Sequence, residues 1–582
     1  MLIKNKIKRS LKYTLYILTP FVIYYILGTL SLRYFDDDYL KCVKSFIVSQ
    51  DFKRAIVFIA HQDDDLFVAG PLIYNLRNRG IETKVVFFTD GNAHDNTGKI
   101  RQAEAVEANG VLGVPVDDVI CMGFPNRRQA DKSDPKGTST PELRDSMKTA
   151  IKDLLNEFEP QLVVCSDFDF HRDHRLLTIL FDESVGELLK EKQSYRPVIL
   201  KGFSYQTSYN AVKDFYNINL LSTKTPQDVQ NKLYETDVPA YAWDSRIRIP
   251  IEGEMITHST QTNILYKALE EYRSVWVRDR TPSIINGDNV FWMRRADNLL
   301  LDANITASSG NTKYLNDFKL YDTNDLTIAK QYNVDFVDYL WKADINDTNP
   351  CIQISLLEPH KLKELVLYDD PQVDKSVTYA EVFINGDFYK NIIPLHDKGI
   401  PTSISIDYPN PIDKIELKNI KSNSGNPALV EIELFEQTQD EYINFSILKL
   451  KTKDSDDFLY RYYIKPGVTS LQLDFYALGV DQLDIEYSIV NGESSHASLN
   501  GSVLLLGDNF ESCKVRVTSK CHPEIFDEVV FMRESQCDSF IYSFMTAFDK
   551  LQLDVETAFY RNRVVGGIVR HTLFNPIKRL FQ

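Results

Sequence analysis

The stretch AIVFIAHQDDD, residues 55–65, determines the fold class of this chain. Its first six residues are apolar and rich in β-branched side chains, which is typical of a buried strand, and a histidine and three aspartates follow within the next five. Two similar runs, KVVFFTD (84–90) and QLVVCSD (161–167), occur further along the chain. Helical patterns separate the three runs, and strands that alternate with helices predict a parallel sheet covered on both faces.

The first helix is predicted over residues 71–80, with Pro71 in its first turn and Gly80 beyond its end. Two more helices are predicted over about residues 100–109 and 143–158. In sheets of this kind, ligands bind beyond the carboxyl ends of the strands. We therefore expect the chemistry in the residues that directly follow the three apolar runs.

Two clusters of polar side chains stand at these strand ends: HQDDD at 61–65 and HRDH at 171–174. Two imidazoles and a carboxylate would make the open three-ligand site that catalytic zinc uses. A divalent cation also allows neighbouring carboxylates to stay ionised together. The alternative is that the aspartates only cap a helix or form a solvated turn. Two such clusters, both at strand ends, favour a metal centre.

The two clusters resemble the [AP]-H-P-D-D-E and H-x-D-H signatures of the PIG-L (LmbE-like) zinc deacetylases. The resemblance continues outside the clusters, at Thr89 to Gly91, Arg101, Glu104, Leu112-Gly113 and Gly123 to Pro125. It covers about residues 51–298 and implies an α/β Rossmann-like catalytic domain with a parallel sheet. The chain departs from the signature at Gln62, which replaces its proline, and at Asp65, which replaces its glutamate.

The resemblance implies three zinc ligands: His61, Asp64 and His174. Iron is an alternative metal, because imidazole and carboxylate ligands suit both ions. The resemblance also makes Asp63 the general base for hydrolysis of an N-acetyl group. His171 is expected to stabilise the oxyanion and to protonate the leaving amine, and Asp173 to hold His171 in the right tautomer.

Three further side chains are candidates for substrate contacts: Asp90, Asn92 and Arg101. The first two follow the second strand, although a Thr-Asp-Gly-Asn stretch also suits a simple turn. Arg101 is predicted on a helix and could reach a substrate hydroxyl or phosphate. Its alternative is a solvated side chain or a pair with a neighbour such as Glu104.

The N-terminal region combines a basic stretch, residues 1–12, with an uncharged run of 20 residues, 13–32. That length matches a helix that crosses a membrane. Basic residues before the run predict a cytoplasmic tail, a single-pass anchor and an extracytoplasmic, periplasmic or extracellular, catalytic domain. A cleavable signal peptide is the rival interpretation, but the run is long for one and no A-x-A-like cleavage site follows.

The second half of the chain is predicted to be mainly β-structure. Residues 299–437 resemble a discoidin-like (coagulation-factor C-type, galactose-binding-like) β-sandwich at NITASS (304–309), Trp341 and ALVEIEL (428–434). That resemblance implies glycan binding and, in some members, a structural calcium ion. Residues 438–535 predict a further, Ig-like sandwich. A helical segment with a basic end is predicted over residues 536–582.

Composition narrows the possible functions. A content of 43% hydrophobic and 12% aromatic residues excludes a disordered chain, and the net charge of −16 argues against a nucleic-acid binder. The sequence therefore predicts a membrane-anchored zinc N-deacetylase acting on N-acetylated, GlcNAc-type sugars of a surface polysaccharide, glycolipid or glycoconjugate. Two alternatives stay open: a glycan-binding scaffold on a weakened deacetylase fold, and an amidase for a different amide.

Overall fold

The structure is a computed structural model. It describes the following residues: 14–16, 18–20, 22–30, 45–49, 51–92, 97–126, 141–167, 171–204, 209–210, 217–226, 241–257, 259–260, 262–275, 284–285, 287–320, 340–370, 375–393, 400–490 and 496–561. The predicted cytoplasmic tail and the end of the predicted C-terminal segment lie outside these residues.

The strands up to residue 295 are β1 Phe46–Val48, β2 Arg54–Ile59, β3 Glu82–Thr89, β4 Val119–Phe124, β5 Leu162–Ser166, β6 Val198–Gly202, β7 Tyr209–Asn210, β8 Leu220–Ser222, β9 Thr225–Pro226, β10 Ile247–Ile249 and β11 Asn289–Arg295. The next nine strands are β12 Asn304–Ala307, β13 Trp341–Lys342, β14 Ile352–His360, β15 Glu364–Asp369, β16 Val377–Ile384, β17 Asp387–Ile392, β18 Thr402–Ser405, β19 Ile412–Ser422 and β20 Ala428–Phe435. The last eight strands are β21 Phe445–Thr452, β22 Phe458–Ile464, β23 Ser470–Leu478, β24 Ile485–Val490, β25 Ala497–Asn500, β26 Val503–Leu506, β27 Ser512–Ser519 and β28 Phe526–Arg533. The α-helices are α1 Asp64–Asn78, α2 Gly98–Val111, α3 Pro141–Phe158, α4 Arg172–Glu191, α5 Ile264–Glu271, α6 Gln439–Tyr442 and α7 Gln536–Arg561.

A seven-stranded sheet in the order β10-β11-β6-β5-β2-β3-β4 forms the centre of the first module. The five strands from β6 to β4 run parallel, as predicted, and β11 and β10 extend the sheet in the antiparallel direction. Alternate residues of β2 enter different cores, Val57 and Ile59 on one face and Ile56 and Phe58 on the other. Both faces of the sheet are therefore covered, which explains the continuous apolar run.

Helix α1 begins at Asp64, shortly after β2 ends at Ile59, so the predicted start at residue 71 was wrong. Asp64 and Asp65 occupy its first turn, where negative charge is favourable, and Pro71 lies inside the helix. A proline at that position disturbs the helical hydrogen bonds. The neighbouring N–H of Leu72 donates instead to Asn289 Oδ1 on β11, at 3.0 Å. Burial of the apolar residues of α1 against the sheet outweighs the local cost of the proline.

The first β-sandwich is built from strands β12 to β20. Its two sheets have the orders β12-β14-β19-β16-β17 and β13-β20-β15-β18, and Trp341 is fully buried between them. It packs on the first module through a shared apolar cluster in which Tyr241 and Trp292 meet Val430 and Phe435.

The second sandwich takes strands from outside its predicted range of 438–535. Its sheets have the orders β1-β21-β23-β26-β25 and β24-β27-β28-β22-β8. Strand β1 precedes the first module and pairs with β21, with Phe46 opposite Ile447, while β8 belongs to a loop of the first module and pairs with β22. Both additions are only three residues long, and a run that short has no readable periodicity.

The predicted membrane anchor lies in a region that the structure describes in part. Residues 14–16, 18–20 and 22–30 are helical. Among the described residues, no helix combines the length and the hydropathy that are needed to span a membrane.

Candidate metal centre

The two polar clusters meet at one edge of the central sheet. Strands β2 and β5 are parallel neighbours, with Phe58 opposite Cys165, so their carboxyl ends lie side by side. His61 follows β2, and His174 lies in the first turn of α4, which begins after β5. The topology therefore joins residues that are 113 positions apart in the sequence.

Three ligand-type atoms converge there: His61 Nδ1, Asp64 Oδ2 and His174 Nε2. The two nitrogens are 3.1 Å apart, and Asp64 Oδ2 lies 3.1 Å from His61 Nδ1 and 2.9 Å from His174 Nε2. All three side chains are buried. Although burial opposes it, the two imidazoles hold the pKa of Asp64 well below its usual value, so the carboxylate is ionised and able to bind a cation. Two imidazoles and one carboxylate are a donor set that suits zinc.

A set of three histidines is a second possible arrangement. One ligand atom each of His61, His171 and His174 fall within 4.8 Å of one another. The set with Asp64 is tighter, because its three contacts are all 3.1 Å or shorter. His171 is a third imidazole beside these two, with its ring centroid 4.6 Å from that of His61 and 4.8 Å from that of His174.

The Asp173 carboxylate orients a metal-ligand candidate. Its Oδ2 lies 2.9 Å from His61 Nε2, so a proton on Nε2 leaves Nδ1 available to a metal. Sequence reasoning assigned this carboxylate to His171 instead. The contact of Asp173 with His171 is made by its backbone N–H, which donates to His171 Nδ1 at 3.3 Å.

His171 is the N-cap residue of α4, and this position sets its tautomer. Because Nδ1 accepts a backbone hydrogen bond, the neutral ring carries its proton on Nε2. Burial, with the neighbouring His61 and His174, lowers the pKa of His171 to about 3. The ring is thus a neutral hydrogen-bond donor at physiological pH, a form that suits oxyanion stabilisation better than proton donation to an amine.

Asp63 has an unusual backbone for a non-glycine residue, with φ at 140° between β2 and α1. Strained backbone of this kind persists where the surroundings enforce it, as functional sites often do. Burial and the adjacent Asp64 raise the pKa of Asp63 to about 6, while Arg101 acts in the opposite direction. A carboxylate that titrates near physiological pH is well matched to general-base work.

Comparison with known proteins identifies a family for the segment that carries the site. Residues 56–183 match the family model described as PIG-L: GlcNAc-PI de-N-acetylase. This segment is a PIG-L domain. It contains both polar clusters and the strands and helices that bring them together.

Solved structures are similar to this chain over part of its length. N,N'-diacetylchitobiose deacetylase from Pyrococcus horikoshii is 19% identical, with a TM-score of 0.26, over 42% of this chain and 85% of its own. The zinc-inhibited form of teicoplanin deacetylase Orf2 is 15% identical, with a TM-score of 0.28, over 42% of this chain and 99% of its own. The family 32 CBM of C. perfringens NanJ, in complex with galactose, is 13% identical, with a TM-score of 0.18, over 23% of this chain and 92% of its own.

In the PIG-L domain Arg101 contacts the base candidate. Its guanidinium donates to Asp63 Oδ1 at 2.9 Å and to the Gln62 carbonyl at 2.7 Å, with a longer contact of 3.4 Å to the Gly91 carbonyl. The Arg101 side chain is buried. Its guanidinium, which the sequence predicted to contact the substrate, is bonded to these protein groups instead. We infer that Arg101 positions Asp63.

The other two substrate candidates shape the loop after β3. Asp90 Oδ1 accepts the N–H of Asn92 at 2.9 Å and that of Asn126 at 3.3 Å, and Asn92 Oδ1 accepts the N–H of Gly98 at 3.4 Å. These bonds agree with the alternative interpretation of the stretch as a turn.

The two departures from the family signature have defined partners. Gln62 Nε2 donates to the Thr89 carbonyl at 2.9 Å. Its Oε1 lies beside Gly91, whose φ of 70° favours glycine at this position. Asp65 accepts from the Tyr272 hydroxyl at 2.7 Å and from Asn109 Nδ2 at 2.8 Å. Burial raises the pKa of Asp65 to about 7.

Several supporting residues were missed from the sequence. Tyr272 is 207 positions away from Asp65, and no motif marks it. A cluster of buried polar side chains also lies beyond β5. Tyr241 donates to Asp167 Oδ2 at 2.7 Å. Lys201 Nζ lies 3.6 Å from the same carboxylate and 2.8 Å from Asp182. The sequence does mark Lys201, because a lysine inside an apolar strand predicts a buried charge that is paired with polar side chains.

Proposed function

We propose that the PIG-L domain of this chain is a zinc-dependent N-deacetylase that hydrolyses the acetamide of N-acetylated sugars. The observation that carries the proposal is the convergence of His61 Nδ1, Asp64 Oδ2 and His174 Nε2 within 3.1 Å of one another, with Asp63 and His171 beside them. The name of the matching family, a GlcNAc-PI de-N-acetylase, supports the reaction and the type of sugar.

Zinc bound by the three ligands would lower the pKa of a bound water and polarise the acetamide carbonyl. The protein's part in the reaction begins with Asp63, whose carboxylate takes a proton from the attacking water. Arg101 occupies Asp63 Oδ1, so the proton is taken by Oδ2. The protonated Asp63 then delivers that proton to the leaving amine, and the products are a free amino sugar and acetate.

His171 stabilises the tetrahedral intermediate in this scheme. Its neutral ring presents an Nε2–H group, and a fixed donor near a developing oxyanion lowers the barrier without reorganisation of solvent. In this scheme the leaving amine receives its proton from Asp63. Protonation of the amine by His171 stays a prediction.

We also propose a cell-surface setting for the enzyme. The basic residues 1–12 and the uncharged run 13–32 support a membrane anchor with an extracytoplasmic catalytic domain. The attached sandwich, whose sequence resembles discoidin-like domains, supports a polysaccharide, glycolipid or glycoconjugate as substrate.

The calcium ion expected in the first sandwich stays a prediction. If such an ion is bound, the melting temperature should rise with calcium and fall with a chelator, and equal values would contradict the prediction.

The deacetylase proposal is tested by acetate release from oligosaccharides that contain N-acetylglucosamine, with the full chain loaded with zinc. We expect release by the wild-type protein, and release about 10² to 10⁴ times slower by Asp63→Asn with the same zinc content. Zinc-loaded wild-type protein that binds these oligosaccharides without releasing acetate would favour the glycan-binding scaffold. Release from other amides but not from sugars would favour the amidase.

A further inference from the structure

The side chain of Gln62 attaches the loop between β2 and α1 to the neighbouring strand β3. Gln62 is fully buried, and its Nε2 donates to the Thr89 carbonyl at 2.9 Å. Thr89, the last residue of β3, also donates to the Ala60 carbonyl, from its N–H at 3.1 Å and from its hydroxyl at 2.9 Å. One residue of β3 therefore holds the loop on both sides of His61. An unpaired amide is costly to bury, so the bond of Gln62 favours the observed loop.

Arg101 connects this loop to the base candidate. One guanidinium nitrogen, Nη2, donates to the Gln62 carbonyl at 2.7 Å and to Asp63 Oδ1 at 2.9 Å. The backbone of residue 62 and the carboxylate of residue 63 thus share one donor group. A displacement of Gln62 moves the carbonyl that orients the guanidinium, and the orientation of Asp63 changes with it.

The backbone at Asp63 needs a restraint of this kind. Its φ is 140°, and such a conformation persists only where the surrounding structure enforces it. The PIG-L signature has a proline where this chain has Gln62. A proline fixes its own φ and restricts the residue before it, whereas a glutamine leaves the backbone free. Without the proline, the restraint has to come from hydrogen bonds.

We propose that Gln62 is a positioning residue for the general base. Its bond to Thr89 fixes the loop, and its carbonyl orients Arg101. Arg101 in turn holds Asp63 where the carboxylate takes the proton of the attacking water. A buried hydrogen bond thereby replaces the covalent restraint of the signature proline. The inference rests on the proposed deacetylase function, in which Asp63 is the base.

The kinetic test compares two full-length variants with the parent protein in the acetate-release assay. Gln62→Met keeps the approximate size of the side chain and removes its donor. We expect kcat to fall about 10-fold to 100-fold with KM unchanged, because misplacement of a reacting group by about 1 Å costs about 100-fold in rate. Gln62→Pro introduces the covalent restraint and should recover most of kcat. Zinc affinity, measured by competition with a chelator, should be the same in all three proteins.

The matched control is Gln161→Met. Gln161 also joins separate segments, since it accepts the N–H groups of Lys53 and Arg54 at 2.8 and 3.0 Å and donates to the Asp51 carbonyl at 2.5 Å. It precedes β5, so it lies at the opposite edge of the sheet from the metal centre. This variant should lower the melting temperature and leave kcat unchanged.

Three kinetic results would overturn the proposal. A parental kcat in Gln62→Met would show that the bond does not position the base. A higher KM with unchanged kcat would assign Gln62 to substrate binding, and a loss of zinc affinity in step with kcat would assign it to the metal centre. A folded Gln62→Pro variant that is as slow as Gln62→Met would contradict the replacement of the proline.

Crystal structures of the zinc-loaded parent and of Gln62→Met give a readout that does not depend on the reaction. We expect the variant to lose the 2.9 Å contact between Asp63 and Arg101 or the φ of 140° at Asp63. Unchanged geometry would overturn the proposal. If the parent releases no acetate, the proposed function fails, and this comparison still decides whether Gln62 positions Asp63.

Discussion

Replacement of Arg101 by glutamine should move the pH dependence of catalysis. The guanidinium lies 2.9 Å from Asp63 Oδ1, and both groups are largely buried. In the wild-type protein this positive charge lowers the Asp63 pKa, against burial and the adjacent Asp64, which raise it to about 6. Glutamine keeps a hydrogen-bond donor at this position and removes the charge. The pKa of Asp63 should therefore rise.

The size of the effect follows from the separation of the charges. An opposite charge at this range lowers a carboxyl pKa by about 1 to 3 units, so its loss should place the Asp63 pKa between about 7 and about 9. The base acts in its ionised form, and at pH 7 the ionised fraction would fall from about nine-tenths to between about one-half and about one-hundredth. The value of kcat/KM at pH 7 should then fall by about 2-fold to about 100-fold, and it should recover as the pH rises.

The assay is the pH profile of kcat/KM for acetate release, with zinc content measured on each sample. Two control variants accompany Arg101→Gln. Arg101→Lys keeps the charge and should keep most of the acidic limb, and Lys99→Gln removes an exposed charge from the same helix and should leave the profile unchanged. An activity loss that is the same at every pH would refute the electrostatic reasoning, as would an unmoved limb in a zinc-loaded variant.

Three further changes have defined expectations. Asp63→Asn should lower kcat by about 10² to 10⁴ with zinc content unchanged, and a smaller loss in the kinetic assay would remove Asp63 as the base. Tyr272→Phe deprives Asp65 of a hydrogen bond and should raise its pKa above about 7. Urea unfolding should then show a free energy of unfolding that is lower by about 1 to 3 kcal/mol, with a larger loss above pH 7, where the wild-type carboxylate ionises. An equal loss at acidic pH would contradict this reasoning. Arg294→Met leaves Glu433 buried without its ion-pair partner at 3.3 Å and should lower the free energy of unfolding by about 3 to 5 kcal/mol. The double variant with Glu433→Leu should recover part of that stability. Equal losses for the single and the double variant would argue against the ion pair.

The sequence was informative where a feature is local. Apolar runs followed directly by polar clusters predicted the strands, the sheet edge and the candidate ligands, because a parallel sheet aligns the ends of its strands. It was uninformative where a contact depends on distant chain segments. The Tyr272 partner of Asp65 and the strands β1 and β8 of the second sandwich have no local signature, since each is defined by what packs against it.

The start of α1 shows how a small error in secondary structure changes a chemical conclusion. With a helix that begins at residue 71, the three aspartates would lie in one loop and share one environment. The observed start at Asp64 separates them, with Asp64 against two imidazoles, Asp65 against Tyr272 and Asn109, and Asp63 in a strained turn beside Arg101.

Three identical side chains in sequence thereby acquire different acidities. The pKa of Asp64 is well below its usual value, and those of Asp63 and Asp65 are raised to about 6 and about 7. An acid–base site needs such a separation, because a ligand must stay ionised while its neighbour exchanges a proton. Asp63 lies just outside the helix with a positive φ, while Asp64 is its first residue, and this difference in backbone separates the base candidate from the ligand candidate.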